Sequence, residues 1–427
     1  MTTTPATRQQ APAPDTSLAR RVTWATWTGW GLDGFTNQMF PLALSGIIAA
    51  FGLTTGQGGL ATSAALLSSA VGGVVGGRLA DRFGRVQVLL LVICGYALFT
   101  GLTATSQNFE SLLLWRTLEG FFFGAEWPVG AALMAEYAAP ERRGRALAWV
   151  QSAWAVGWAG ANLSYLLSHA WLPDTVAWRV MFTVGILPAL VALVIRRSLR
   201  DIPRTRTGPA AADAPAADTA HEKPRRKGAF AELFSPALRK VTVLGTLFGA
   251  TGLASTYALQ TWIPLYLKDE RGLSVSSTAL YVWFMIVGNW LGYVLGGRLH
   301  DRIGRRWAFT VFYLGTAVFG FLFMAIPVDA LWYNLMLALV VGFFIAAQAS
   351  GKGALFTELF PAHARGTGAG ITYNVGRGVA AFSPALIGWA AASIGLGMAI
   401  VTVVTVCTVL TLLFIWLMPE TRGRVLD

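Results

Sequence analysis

The chain has 427 residues, of which 55% are hydrophobic and only 13% charged, with 17 tryptophans and a mean hydropathy of +0.55. That is too little charge to clothe the two or three soluble domains such a length would otherwise form, so the chain belongs in a lipid bilayer. The net charge of +12 does not mark a nucleic-acid binder, because the basic residues sit in short clusters between apolar segments rather than along one face of a soluble domain.

In chain order, residues 1–21 (MTTTPATRQQAPAPDTSLARR) are polar and lack the apolar core of a cleaved secretory signal, which predicts a disordered cytoplasmic tail. Twelve segments are then long and apolar enough to span a bilayer: roughly 22–50, 58–79, 86–106, 109–136, 145–170, 176–198, 240–267, 277–299, 307–327, 330–358, 366–391 and 394–418. The Pro/Ala/charge-rich stretch RDIPRTRTGPAAADAPAADTAHEKPRRKG separates the sixth from the seventh. The expected fold is therefore an all-α membrane protein of twelve transmembrane helices in two six-helix, pseudo-symmetric bundles. The expected divisions are 22–199 for the first bundle, 200–238 for a cytoplasmic linker, 239–418 for the second bundle and 419–427 for a cytoplasmic tail. Lys and Arg concentrate in the termini, the linker and alternate loops, with Lys268 and Arg271 the main exceptions, which puts both termini on the cytoplasmic side.

The halves carry an internal repeat. GGRLADRFGR at Gly76 to Arg85 recurs as GGRLHDRIGR at Gly296 to Arg305, and Glu136, Arg143 and Gly144 recur as Glu358, Arg365 and Gly366. Each cassette closes the second helix of its half, so the halves read as parallel repeats. Glycines 72, 73, 76 and 77, and 292, 296 and 297, are expected to let neighbouring backbones approach closely. Gly77, Arg78, Asp81, Arg82, Gly84 and Arg85, with Gly297, Arg298, Asp301, Arg302, Gly304 and Arg305, form a candidate conformational motif. In it, Asp81 and Asp301 are expected to dock on the N-terminus of a neighbouring helix.

A charged side chain at the bilayer centre costs about 3 kcal/mol on insertion scales, so each one is a candidate for function. Asp33 lies ~16 Å into the first span, near the midplane, on one face with Trp30, Asn37 and Phe40. It reads as a protonatable switch; the alternative is an acid silently paired with an arginine. The fourth span carries Arg116, Glu119 and Glu126 within an arc of about 80°. One guanidinium cannot serve both acids, so one acid finds another partner or holds a proton. The second-half counterpart of Glu126 is the neutral Gln348. Arg377 also lies ~16 Å deep, one turn from Tyr373 and Asn374, and its own span contains no acid. An unneutralised guanidinium there is a fork for a substrate carboxylate; the alternative is a structural pairing with Asp33 or a glutamate of the fourth span across the cavity. Lys352, nearer the end of its helix, is expected to snorkel. In the fifth span Gln151, Trp154, Trp158, Asn162 and Tyr165 form a stripe expected to line a cavity rather than face lipid.

Other motifs carry no chemistry. GTGAG at Gly366 and SGKG at Ser350 follow no strand and no Ser or Thr follows Lys352, so they read as helix contacts rather than a nucleotide loop. Cys94 and Cys407 match no metal or dithiol spacing, and the four histidines form no ligand cluster. No cofactor, metal or enzymatic activity is expected.

GRLADRFGR and GRLHDRIGR resemble the signature loops of the major facilitator superfamily, as do Arg116 and Gly120 in RTLEGFFFG, ERRGRA after the fourth span, and MPETRGR after the twelfth. Within it, DGFTNQMF, GAEWPVGAALMAEY and YNVGRG are similar to the proton-coupled organic-acid symporters of the sialate and aromatic-acid groups, although Thr36 stands where the aromatic-acid group carries a second acid. The resemblance implies alternating access in a bacterial inner membrane and uptake of a small organic anion with protons by a monomer. It further implies that Arg116 pairs with Asp33 in one state. The expected proton-coupling residues are Asp33, Glu126, Glu119 and Arg116. Expected substrate contacts are Arg377, Asn374, Tyr373, Asn37, Gln151, Trp154, Trp158, Asn162 and Gln348. The competing expectation is a proton-coupled drug or metabolite exporter. Relatives of that kind carry a Gly-Pro motif in the fifth helix, and AWVQSAWAVGWAGANLSYLL has no proline.

Overall fold

The computed structural model describes residues 16–137, 143–198, 229–327, 330–361 and 364–422. Among these the first half contains α1 (Thr16–Phe51), α2 (Thr55–Phe83), α3 (Arg85–Thr103), α4 (Phe109–Tyr137), α5 (Arg143–Trp171), α6 (Asp174–Val184) and α7 (Leu187–Ser198). After the short α8 (Ala229–Leu233) the second half contains α9 (Arg239–Leu265), α10 (Val275–Ile303), α11 (Arg305–Ala325), α12 (Leu331–Glu358), α13 (Arg365–Ala380), α14 (Ser383–Ile394) and α15 (Leu396–Leu417). A π-helical turn, Tyr266–Glu270, ends α9. Eight spans among the described residues are long and apolar enough to cross a membrane. The helices that carry Asp33, the Arg116, Glu119 and Glu126 group, and Arg377, namely α1, α4 and α13, are not among the eight.

The twelve expected spans correspond to these helices with two breaks. The sixth divides at Gly185 into α6 and α7, and the eleventh at Ala381 into α13 and α14. Pro188 and Pro384 each occupy the second position of the new helix, where the missing N–H costs nothing but a continuous helix would clash. Helix starts are fixed locally. Thr54 and Gln57 cap α2 reciprocally: the Gln57 N–H donates to Thr54 Oγ1 at 3.2 Å and the Thr54 N–H to Gln57 Oε1 at 2.9 Å.

Both cassettes end on a glycine in the left-handed region, Gly84 at φ +94° and Gly304 at φ +91°, which lets the chain reverse between α2 and α3 and again between α10 and α11. Upstream glycines bring backbones into contact. A Cβ on Gly72 would lie 1.8 Å from the Phe121 carbonyl, and one on Gly124 would lie 1.8 Å from that of Ser69, so α2 and α4 touch directly. Gly288 and Gly342 do the same between α10 and α12. Gly77 and Gly297, expected to share this role, face open space instead.

Three further expectations change. The tail assigned to 1–21 is already helical from Thr16, and residues 1–15 lie outside the described residues. Of the linker assigned to 200–238, only 229–238 is described. Leu233 there is fully buried and its carbonyl accepts the Thr242 hydroxyl at 3.0 Å, so this part packs with the second half. Asp301 does not dock on a neighbouring helix end: it pairs with Arg305 of the next helix at 2.8 Å. The carboxylate at the start of α11 is that of Glu420, which accepts the Arg305 and Arg306 N–H groups at 3.0 Å each. Arg305 also forks onto Glu358 at 2.7 and 3.1 Å, and Thr421 donates to the same carboxylate, binding the cassette, α12 and the chain after α15 together. Arg78, Arg82, Arg298 and Arg302 are exposed, while the side chains of Asp81, Arg85, Glu136 and Arg143 lie outside the described residues.

At the end of the bundle away from the cassettes the two halves are joined. Ser45 donates to Asp269 at 2.5 Å, Lys268 to Asp174 at 2.5 Å, Thr55 to the Gly388 carbonyl at 2.7 Å, and Asn162 to the Ala279 carbonyl at 3.0 Å. The Ala385 N–H donates to Ser63 at 3.1 Å, and Gly59 sits against the Pro384 carbonyl. This end is closed.

Candidate functional site

Beneath that closure lies a cavity bounded by α1, α2, α4 and α9, hence by both halves. Asn37, Gln38 and Phe40 face it from α1, Arg116, Glu119 and Phe123 from α4, and Tyr257, Gln260 and Thr261 from α9. α1 and α5 touch backbone to backbone, since a Cβ on Gly157 would lie 1.8 Å from the Gly31 carbonyl.

That contact decides the fate of the fifth-span stripe. Trp154 is buried with its ring 5.3 Å from that of Trp30, and Trp158 and Tyr165 are buried in the core. Asn162 holds α10, and no stripe residue, Gln151 included, lines the cavity. The expectation of a cavity-lining face is corrected: the stripe packs α5 between α1 and α10. Gln348 donates to Thr316 at 3.4 Å between α11 and α12, and Asn374 donates to the Gly370 carbonyl at 2.9 Å while lying against Gly73. Neither lines the cavity. Lys352 does not snorkel: it is 4% exposed, donates to the Gly252 carbonyl at 3.3 Å, and stands over the Tyr313 ring at 5.8 Å.

The ionic residues divide into three groups. Arg116 donates to Glu119 at 2.5 Å, one turn along the same helix, and lies over the Phe40 ring at 4.3 Å. In this state Arg116 is therefore paired with Glu119 rather than with Asp33. Asp33, fully buried, faces Glu126 of α4 and Tyr96 of α3. Both Asp33 oxygens, Glu126 Oε2 and the Tyr96 hydroxyl are buried without a hydrogen bond. Gly29 makes room for Glu126, because a Cβ there would lie 2.5 Å from Glu126 Oε1.

Arg377 is 3% exposed and has no carboxylate bonded to it among the described residues. One amino group donates to the Tyr373 hydroxyl at 3.1 Å, the guanidinium stands 4.8 Å from the Tyr373 ring and 5.7 Å from that of Phe123, and Tyr257 lies beside it. Its Nε and Nη1 carry no hydrogen bond. Phe123 and Tyr257 also line the cavity, so Arg377 stands immediately behind its wall, within the electrostatic reach of Asp33. Buried guanidinium donors without partners are costly, and a carboxylate arriving from the cavity would satisfy one of them in a fork completed by the second hydrogen of Nη2.

Tyr96, Phe123, Tyr257, Gln260 and Thr261 were not singled out by sequence reasoning. For the α9 residues a signal exists: Tyr257, Gln260 and Thr261 recur at helical spacing on one side of an otherwise apolar span. Tyr96 and Phe123 sit in apolar runs where nothing local distinguishes them from lipid-facing residues.

Two pseudo-symmetric helical halves around a buried polar site between them define a membrane carrier. The chain belongs to the Major Facilitator Superfamily, whose family model matches residues 26–383 and 282–426. It is 34% identical over 408 residues, covering 96% of this chain and 92% of the relative, to the "Probable 4-methylmuconolactone transporter" of Cupriavidus pinatubonensis (strain JMP 134 / LMG 1197). It is 30% identical over 377 residues, covering 86% and 87% of the two chains, to the "Cis,cis-muconate transport protein" of Acinetobacter baylyi (strain ATCC 33305 / BD413 / ADP1). Among solved structures the fold is similar to that of a D-xylose-proton symporter, with a TM-score of 0.75 at 21% identity over 95% of this chain and 99% of that one. The protein is an integral membrane transporter, and its relatives are named as transporters rather than enzymes.

Proposed function

We propose that the protein is a proton-coupled symporter that takes up a small organic anion across a bacterial inner membrane, with both termini on the cytoplasmic side. The observation that carries this reading is Arg377: buried, unpaired with any described carboxylate, and holding two unused donor nitrogens behind the wall of the cavity. The substrate carboxylate accepts from one of those nitrogens and from the second hydrogen of the neighbouring Nη2, and its body lies against Phe40 and Phe123 at the cavity wall. The names of the two relatives, a methylmuconolactone transporter and a muconate transport protein, support an organic-acid substrate.

Asp33 and Glu126 supply the proton site. Two buried carboxyls that face each other with only the Tyr96 hydroxyl beside them hold a proton between them rather than two charges. Because Asp33 also feels Arg377, an anion on the guanidinium cancels the positive field that favours an ionised Asp33, so proton and anion bind with positive coupling. With the cassettes facing the cytoplasm, the closed end is the outer one, and the state described is that from which substrate leaves inward.

The test is uptake of labelled carboxylates by proteoliposomes with and without an inward pH gradient, together with thermal stabilisation of purified protein by the same compounds. Gradient-stimulated uptake is expected, with Arg377→Lys weakening binding by about tenfold or more because the bidentate fork is lost. Uptake indifferent to the gradient would remove the proton coupling, and carboxylate binding undiminished by Arg377→Lys would remove the anchoring role.

A further inference from the structure

We propose that Glu119 fixes the number of carboxylates a substrate can carry: by occupying the guanidinium of Arg116 at the cavity wall, it leaves a single arginine for the substrate and confines the carrier to monocarboxylates. This rests on the organic-anion reading above and adds the substrate's charge to it.

Three described arginine and acidic side chains meet the cavity or its wall. Arg116 and Glu119 line it directly, and Arg377 stands behind Phe123 and Tyr257. The Arg116 and Glu119 side chains are 5% and 6% exposed and lie 2.5 Å apart, so each charge is spent on the other in a site with little water to screen it. One flat face of the guanidinium is covered as well, by Phe40 at 4.3 Å. A substrate gripping Arg377 by one carboxylate and carrying a second would bring that charge into the cavity that Glu119 lines, one turn along α4 from Phe123, and would have to displace Glu119 to reach Arg116. An uncharged polar end fares differently. Asn37, Gln38, Gln260 and Thr261 all border the cavity and offer both donors and acceptors. The matching ligand therefore has one carboxylate, a flat apolar body and an uncharged polar or apolar far end.

The experiment compares matched pairs, benzoate with terephthalate and hexanoate with adipate, by thermal stabilisation of the purified full-length protein and by competition for uptake in proteoliposomes. In the wild type the monocarboxylate of each pair is expected to bind at least about tenfold more tightly, the scale of one charge-assisted hydrogen bond. In Glu119→Gln, which frees Arg116 without changing shape, the dicarboxylate-to-monocarboxylate ratio is expected to rise about tenfold or more. In the double variant Arg116→Gln/Glu119→Gln the ratio does not rise, because no guanidinium is released. Glu119→Asp, which keeps the charge, keeps the monocarboxylate preference and covers the case in which Glu119→Gln fails to fold. The proposal is overturned if the wild type binds both members of each pair alike, if Glu119→Gln leaves the ratio where it was, if the double variant gains as much as the single one, or if Glu119→Asp loses the preference. In each of those cases monocarboxylate binding still stands for the broader reading. If no compound of either kind binds the wild type, the organic-anion reading itself falls and this proposal falls with it.

Discussion

Asp33, Glu126 and Tyr96 show how much a residue's surroundings decide. A carboxyl in the first span was legible as out of place because a charge in a bilayer needs a reason. That its neighbours are another carboxyl and a phenol, rather than Arg116, depends on α1, α3 and α4 meeting side by side. Removing the titrating group while keeping its shape separates proton coupling from substrate binding. Asp33→Asn is expected to bind the organic anion and exchange it across the membrane at equilibrium, but to lose uphill accumulation under a pH gradient. Paired counterflow and gradient-driven uptake measurements check this, and gradient-driven accumulation at the wild-type level would remove Asp33 from the coupling.

At the scale of elements, glycine placement sets how closely helices pack, and position decides the sign of its replacement. Gly72→Ala puts a methyl group 1.8 Å from the Phe121 carbonyl, which is expected to push α2 and α4 apart at a cost of about 1–3 kcal/mol. Gly77→Ala, five residues on, meets nothing within 4 Å, and is expected to leave stability unchanged or raise it by up to about 1 kcal/mol through lower backbone entropy. Thermal unfolding of the two variants side by side tests the contrast, and a loss in both would mean that cassette glycines matter for another reason. The start of α11 gives a pH-dependent counterpart. Partial burial pushes the Glu420 carboxyl up, but the backbone N–H groups of Arg306, Arg422, Arg305 and Thr421 outweigh it and hold the group below its ordinary value. A carboxyl depressed in the folded state contributes stability above its unfolded pKa of about 4.3 and loses it as the pH falls through the lower folded value. The protection of the amides in the first turn of α11, taken relative to their intrinsic exchange rate at each pH, is therefore expected to fall on acidification below about pH 4 in the wild type. In Glu420→Gln the same amides are less protected already at neutral pH, with that acid step absent.

The whole molecule is held in one state by the contacts at its closed end. Of these, the Lys268–Asp174 pair is the one made of two full charges, with Lys268 13% and Asp174 42% exposed. Pairs this accessible to water contribute about 0.2–1 kcal/mol, so Lys268→Ala is expected to shift the balance toward states open at this end by up to about fivefold. The readout is the rate at which an impermeant thiol reagent, added from outside, labels a cysteine placed at the cavity-lining Thr62, with Cys94 and Cys407 changed to serine. An unchanged rate would show that the backbone contacts of Gly59, Thr55 and Ala385 suffice to keep the end shut.

The sequence by itself determined the class of this protein, its two six-helix halves, the duplicated cassette and the buried charges Asp33, Glu126 and Arg377, because hydropathy, repetition and the cost of a charge in lipid are properties of residues taken in order. The tertiary structure decided which of those charges meet. Arg116 and Glu119 are three residues apart and were readable as a possible pair, yet only the packing of α4 against α1 shows that they line the cavity with Phe40 covering the guanidinium. The stripe of α5 was readable as a polar and aromatic face, but whether a face meets a void or a neighbouring backbone is set by Gly31 and Gly157, which let α1 close over it. The docking of Leu233 onto the second half has the same origin, a contact whose energy no local pattern records, whereas the breaks at Gly185 and Ala381 follow from Pro188 and Pro384 nearby in the chain.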